Sequence, residues 1–303
     1  MREPWPDLPY AAWSGSCETL HMWTQIVGKV KLVLSPFLNE YWHVAFQLTP
    51  RGLSTGNIPI RDRTFEIRFD FVDHDLYVET GDGEVSSMAL QSRSVAEFYG
   101  DFMNMLGALG IDVTISTMPS EVPNPIPFDA DLTHGSYDPE YVGRWWQIQL
   151  QTERVLQRYR STFVGKSSPI HFFWGSFDLA HTRFSGRSAP PLEGVPRFFR
   201  LSEDQENATC GFWPGNPNPA GAFGIPAFYS YVYPAPDGLS DATIKPDAAR
   251  FNTELGEFIL LYDDVRRSST PEKDLLAFFQ SAYEAAATLA SWDHAALERP
   301  APA

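Results

Sequence analysis

The stretch TFEIRFDFV, residues 64–72, places Phe65, Ile67, Phe69 and Phe71 on one side and Glu66, Arg68 and Asp70 on the other. Side chains of a strand alternate between faces, so this segment predicts a strand with one buried and one wet face. Such a strand belongs in an antiparallel sheet that covers its apolar side with another layer. Four helical patterns supply that layer. The first runs from Cys17 to Leu34, with Pro36 as its stop. The second opens on the capping box Ser94-x-x-Glu97, carries Val95, Phe98, Phe102, Leu106 and Leu109 on one face, and ends at Gly110. The third starts at Asp138 with Pro139 in the first helical position and aligns Val142, Trp145, Leu156, Tyr159 and Phe163. The last runs from Thr270-Pro271-Glu272 through Leu275, Phe279, Ala282 and Ala286 to about Leu289.

Further strands are expected at 42–48, 76–80, 111–116, 170–179, 227–233 and 257–261. Helices and strands do not alternate strictly, which predicts an α+β fold: mainly antiparallel sheet packed with about four long helices. The chain reads as a single unit, 1–303, in two halves, 1–116 and 138–297, joined by a Pro-rich crossing at 117–137. Residues 298–303 read as a disordered tail. The halves carry a faint echo: Gly28-Lys29 precedes YWHVAFQLTPRG, and Gly165-Lys166 precedes IHFFWGSFDLAHTRFSG. A duplication would set His43 and His171 in equivalent strands.

A formal net charge of −15, with no run of Lys or Arg, argues against nucleic-acid and anionic-membrane partners. No window of 18 apolar residues predicts a membrane span, and the N-terminal MREPWPDLPYAAWSGS lacks the apolar core of a signal peptide. Two cysteines, Cys17 and Cys210, are too few for a disulfide framework, so a cytoplasmic protein is expected. Aromatic residues make up 14%, and such side chains fill cores but also line small-molecule pockets.

The segment IHFFWGSFDLAHTRFSGR, 170–187, concentrates acid, base and cation within an aromatic run. His171 and Asp178 fall on opposite faces of a regular strand. A bulge at Gly175 and Ser176 would bring them together beside Phe173, as a general base and its orienter. Arg183 and Arg51 are candidate anion clamps, and Trp174 and Tyr231 candidate walls. In the first helix His21, Gln25 and Lys29 share one face amid apolar residues, so this polar stripe points into a lined cavity or out to solvent. His43, His74 and His134 complete the histidine candidates. Without H-x-x-x-H, H-x-x-E-H or C-x-x-C the chain does not favour a metal, and the cofactor stays unknown. G-x-S-x-G, G-x-G-x-x-G and P-loop motifs are absent.

The segments TLHMWTQIVGK, WHVAFQLTPRGLST, SVAEFYGDFM, SPIHFFWGSFDLAHTRFSGR, GFWPG, AFYSYVYP and LGEFILLYDD, in this order, resemble a bacterial family of uncharacterised proteins, DUF5996. The resemblance covers about Trp5 to Leu297 and implies one family-length unit without an appended module. It supplies no reaction, cofactor or site. It further implies that Gln205 stands where the family carries a histidine, and that His181 replaces an aliphatic residue. The residues themselves lead to the expectation of an enzyme with His/Asp acid–base chemistry, of hydrolase or lyase type, on a small anionic or aromatic molecule. The alternative is a non-catalytic small-molecule binder or sensor. Oligomeric state is not legible.

Overall fold

The computed structural model describes residues 3–195, 197–215 and 224–299. It has the expected α+β architecture, with two six-stranded antiparallel sheets. The four long helices are α1 (Tyr10–Leu34), α2 (Val95–Ala108), α3 (Pro139–Ser161) and, later in the chain, a helix at Pro271–Leu289. The capping box at Ser94 and Glu97 forms as predicted, and Asp138 caps α3 with Pro139 next to it. Two of the three short helices, α4 (Arg197–Ser202) and α5 (Tyr262–Arg266), precede the last long one, which is therefore α6; α7 (His294–Leu297) follows it.

The first sheet comprises β1 (Gln47–Leu48), β2 (Gly52–Ser54), β3 (Ile58–Ile60), β4 (Arg63–Asp70), β5 (Asp75–Thr80) and β6 (Val85–Ala89). Its order is β1-β2-β4-β5-β6, with β3 also on β4. Phe65, Ile67 and Phe69 point inward from β4, while on the other side Arg68 meets Glu79 and the buried Asp70. The second sheet comprises β7 (His171–Phe173), β8 (Asp178–Ser188), β9 (Gln205–Trp213), β10 (Ala227–Tyr233), β11 (Arg250–Asn252) and β12 (Glu257–Leu261), in the order β11-β12-β10-β9-β8-β7. Helix–sheet–helix thus occurs twice along the chain, with a different strand order each time. Phe46 pairs with Phe172 and links the two halves.

Helix α1 runs through the interior. It is buried almost all round from Ser16 to Lys31, which is why its polar stripe cannot be solvated. Trp13 stacks on Trp145 of α3, and Trp23 stacks on Phe98 of α2 with ring centres 4.6 Å apart. Gly28 lies under the Trp174 indole, where any Cβ would overlap the ring. Trp174 in turn donates to Val44 O at 2.9 Å. This close approach ties the helix to the turn between β7 and β8.

Three expectations need correction. Residues 170–179 are not one bulged strand: β7 and β8 form a hairpin joined by the turn 174–177. Residues 111–116 form no strand, because no neighbour pairs with them. Of 42–48 only Gln47–Leu48 is a strand; His43 lies in the preceding turn, so it does not occupy a position equivalent to His171. Of the expected tail, 298–303, residues 300–303 lie outside the described residues, while Glu298 bridges to Phe163 and Arg299 N donates to Thr162 O at 3.0 Å.

Candidate functional site

One face of the second sheet packs on α3 and α6, and the other is the floor of a cavity. Alternation sorts the residues of β8: Leu179, His181 and Arg183 turn toward the helices, and Asp178, Ala180, Thr182 and Phe184 toward the cavity. On β9 and β10 the cavity side presents Asn207, Thr209 and Trp213, then Tyr229, Tyr231 and Tyr233. Tyr41, Trp42, Phe173, Trp174 and Phe198 add aromatic walls, and the volume is about 970 Å³.

The second sheet builds its own polar floor. Thr182 and Thr209 share a hydroxyl hydrogen bond at 2.9 Å, and Thr209 donates to Asn207 Oδ1 at 3.2 Å. Asn207 Nδ2 donates to Glu203 at 2.5 Å. Gly211 sits opposite Tyr229 in the register, and a Cβ there would overlap both the tyrosine ring and Leu179 O. The missing side chain lets Tyr229 lie across the strand and donate its hydroxyl to Asp178. Ser176 donates to the other Asp178 oxygen.

Four carboxyl groups of this cavity titrate above their usual range. Burial raises Asp178, and the bonds from Ser176 and Tyr229 pull the other way without cancelling it. Burial pushes Glu121 up to about 7, with the nearby Asp178 charge adding to the rise. Glu257 rises to about 7 for the same two reasons. Glu203 also reaches about 7, chiefly through burial.

Glu121 comes from the Pro-rich crossing, and the polar stripe of α1 holds it there. Gln25 Nε2 donates to Ser120 O at 2.8 Å, and Gln25 Oε1 accepts from Ser120 N at 2.7 Å. Lys29 donates to Ser120 Oγ at 3.1 Å. His21 Nε2 lies 2.9 Å from Gly175 O in the hairpin turn, and as donor there it fixes the second support. The absent side chain of Gly175 leaves the space that the Glu121 carboxyl occupies. Of the eight non-glycine residues with positive φ among the described residues, Glu40, Tyr41 and Glu121 line the cavity and Phe177 sits in the hairpin turn below it. Such conformations cost roughly 1–3 kcal/mol each and gather at functional sites.

The candidates from sequence divide accordingly. Asp178, Trp174 and Tyr231 line the cavity. His21, Gln25 and Lys29 stand behind it as supports. His171 shares the Asp178 face, because His171 pairs with Ala180 and Phe173 with Asp178, but the hairpin and not a bulge does this. The proposed His171–Asp178 dyad does not form. Asp178 is held by Ser176 and Tyr229, and His171 Nδ1 has no hydrogen-bond partner. Burial, with Lys31 and Arg160 nearby, lowers His171 to about 4 and keeps it neutral.

Neither arginine is an anion clamp at this cavity. Arg183 is fully buried on the helix side, donates to Tyr159 O and Thr162, and lies on the rings of Tyr159, Tyr283 and Phe163. Arg51 pairs with Asp70 at 2.6 Å and Asp73 at 2.5 Å on the first sheet. His43 Nδ1 accepts from Leu38 N at 3.3 Å and packs on Phe37 and Tyr41. His74 bonds Tyr137, and His134 bonds Asp131. His181 is buried on the helix side, lowered to about 3 by burial, and Gln205 accepts from Lys166. Burial raises the Cys210 thiol to about 12.

Glu121, Glu203, Glu257 and Tyr229 were not singled out from sequence. The alternating tyrosines of AFYSYVY were the signal available for Tyr229, since period-two aromatics mark one face of a strand. Among the described residues no three His, Cys, Asp or Glu side chains converge as metal ligands. Among them, too, no helix is long and apolar enough to cross a membrane. Comparison with curated proteins and with solved structures gives no match. A family model described as a family of unknown function, DUF5996, matches residues 5–299, nearly the whole chain, and the protein belongs to that family.

Proposed function

We propose that the protein is an acid–base enzyme acting on a small molecule held in the aromatic cavity. Asp178, Glu121 and Glu257 are its proton-transfer groups. The supporting observation is the coupling of these three carboxyl groups at the wall of a 970 Å³ cavity, where Glu121 and Glu257 rise to about 7. A carboxyl group that titrates near neutrality serves as acid in one step and base in the next, a contribution of about 10²–10⁴ in rate. Tyr229, joined to Asp178, couples a phenol to the same group. Hydrolysis and elimination are the reaction classes that need only such transfers. The acidic cavity and the net charge of −15 oppose nucleic-acid and anionic-membrane partners. The free, buried Cys17 and Cys210 support a reducing compartment, the cytoplasm.

A second reading, a non-catalytic binding protein, draws on one fact: both Asp178 oxygens already accept hydroxyl donors. Incubating the purified protein with a small-metabolite extract, followed by mass spectrometry, separates the two. The enzyme reading expects one species to be converted, at a rate that Asp178→Asn lowers by about 10²-fold or more while the melting curve stays intact. A species retained unchanged by both proteins would establish the binder and end the enzyme reading.

A further inference from the structure

The walls of the cavity carry an uneven charge. Among its described lining residues Glu40, Glu121, Asp178, Glu203 and Glu257 are acidic, and none is Lys, Arg or His. One end of the cavity shows how this fold seats a cation. The Lys166 ammonium lies 5.5 Å from the Trp42 ring centre and 4.5 Å from that of Phe184, and it pairs with the Glu40 carboxylate at 2.5 Å. Two ring faces and one carboxylate, with the Gln205 amide oxygen at 3.2 Å, form the seat, and rings with a carboxylate are the combination that recognises ammonium groups.

The far end repeats these ingredients, and among the described lining residues no cation joins them. Tyr229 and Tyr231 present near-parallel rings, 6.2 Å apart at 14°, and Trp213 lines the adjacent strand. Asp178, Glu257 and Glu121 supply carboxyl groups, and Glu203 adds a fourth beside Tyr231. The nearest ammonium on the crossing side, Lys29, is turned to Ser120 and stands 6.0 Å from the Trp174 ring. The aromatic cavity and the internal precedent of Lys166 are independent of the acidic cluster, and both point to the same missing partner.

We propose that the cavity binds a small organic cation, an amine or quaternary ammonium, with its charge among Asp178, Glu121 and Glu257 and its apolar part on the Tyr229–Tyr231 face. The proposal rests on the cavity being the small-molecule site assigned above, and it names the ligand's charge. A positive charge entering beside Glu121 and Glu257 opposes the Asp178 charge that raises them and favours their ionised forms, so binding near neutral pH expels protons. Groups facing these carboxyls in the proton balance are Tyr229, Tyr231 and Glu203; Glu40 with Lys166 closes the opposite end.

The test is isothermal titration of the full chain with three probes of one shape: phenethylammonium, uncharged 2-phenylethanol and anionic 3-phenylpropionate. Two buffers of different ionisation enthalpy report the proton balance. At about pH 8 the ammonium binds about tenfold tighter than the alcohol, one pK-scale step. Its affinity falls several-fold toward pH 6, and protons are released on binding near pH 7. Glu257→Gln weakens the ammonium and leaves the alcohol unchanged. Equal or tighter binding of the alcohol or the carboxylate overturns the cationic class while leaving a small-molecule site in place. Saturation by magnesium or calcium chloride in place of the ammonium overturns the organic cation. Failure of all three probes overturns this proposal, and if Asp178→Asn also leaves metabolite turnover unchanged the acid–base reading falls with it.

Discussion

Asp178 and Arg183 sit five positions apart on β8, and alternation sends them to opposite faces of one sheet. Each face then buries charge of one sign without the other. On the helix side Arg183 is fully enclosed, and among the described residues no carboxylate pairs with it; three aromatic rings, a carbonyl and a hydroxyl stand in. On the cavity side four carboxyl groups besides Glu40 share the walls, and among the described residues the Lys166 ammonium is already spent on Glu40 and that of Lys29 on Ser120. The two faces resolve the same problem differently because their groups differ in chemistry. A guanidinium cannot shed its proton in a protein, so it must be solvated in place by π-faces and oxygens. A carboxyl group can take a proton, and burial shifts these four toward doing so. A sheet therefore fixes charge permanently on one face and holds it adjustable on the other.

The comparison breaks most visibly if the fixed charge is removed. Arg183→Ala deletes a large buried side chain beneath Tyr159, Tyr283 and Phe163 and removes one donor from the Tyr159 carbonyl, which keeps the Thr162 hydroxyl at 2.9 Å. Urea unfolding should show a loss of about 3–5 kcal/mol. An apolar replacement of similar length, Arg183→Met, should recover part of it, since the rings keep their packing. A neutral outcome for Arg183→Ala would mean that the helix face does not depend on its cation.

The adjustable face sharpens the comparison through pH. Glu121, Glu203 and Glu257 rise from the usual 4.5 to about 7, so each holds a proton that the unfolded chain has lost in that window. Their contribution to stability is full below about pH 4.5 and declines as pH rises to 7. His21 and His171, lowered from 6.5 to about 4, and His181, lowered to about 3, act in the opposite sense: stability is regained as pH climbs toward 6.5. The wild type should therefore be nearly level between about pH 4.5 and 6.5. Glu257→Gln removes one descending contribution and should gain on the order of 2 kcal/mol relative to wild type between pH 4 and pH 8. Parallel profiles for the two proteins would show that Glu257 titrates as in water.

The smallest expected effect concerns the support between the faces. Gln25→Ala removes the fork that holds Ser120 and leaves that amide and carbonyl without their partner. A loss of about 1–2 kcal/mol is expected, with faster hydrogen exchange at the Ser120 amide. Exchange at wild-type rates would place the hold on the crossing elsewhere, at Lys29.

Legibility from sequence followed the same division. Segments whose one role is packing were readable: the β4 alternation, the Ser94–Glu97 box and the Asp138-Pro139 start of α3 all appear where periodicity and capping place them. Strand β9, QENATCGFW, was not read as a strand, because its cavity-facing positions are Asn207, Thr209 and Gly211 and its apolar positions are interrupted. The hairpin of β7 and β8 was read as a single bulged strand, since Trp174 and Phe177 keep its turn as apolar as its strands. The segment carrying His171 and Asp178 nonetheless lines the cavity, through Phe173, Trp174, Ser176 and Asp178. What single-sequence reasoning missed were partners from far along the chain: Glu121, Glu203 and Glu257 are ordinary loop or strand acids until the fold encloses them.

Glu40, Tyr41, Glu121 and Phe177 occupy left-handed backbone conformations that glycine would adopt without strain. Replacing Glu121 by glycine relaxes the chain and deletes a carboxyl group in the same step. Selection for heat resistance would reward that exchange, whereas selection for whatever the cavity does would reject it. At Glu40, Tyr41 and Glu121 durability and use thus pull against each other, and thermostabilised variants that retain these three side chains must draw their gains from other parts of the molecule.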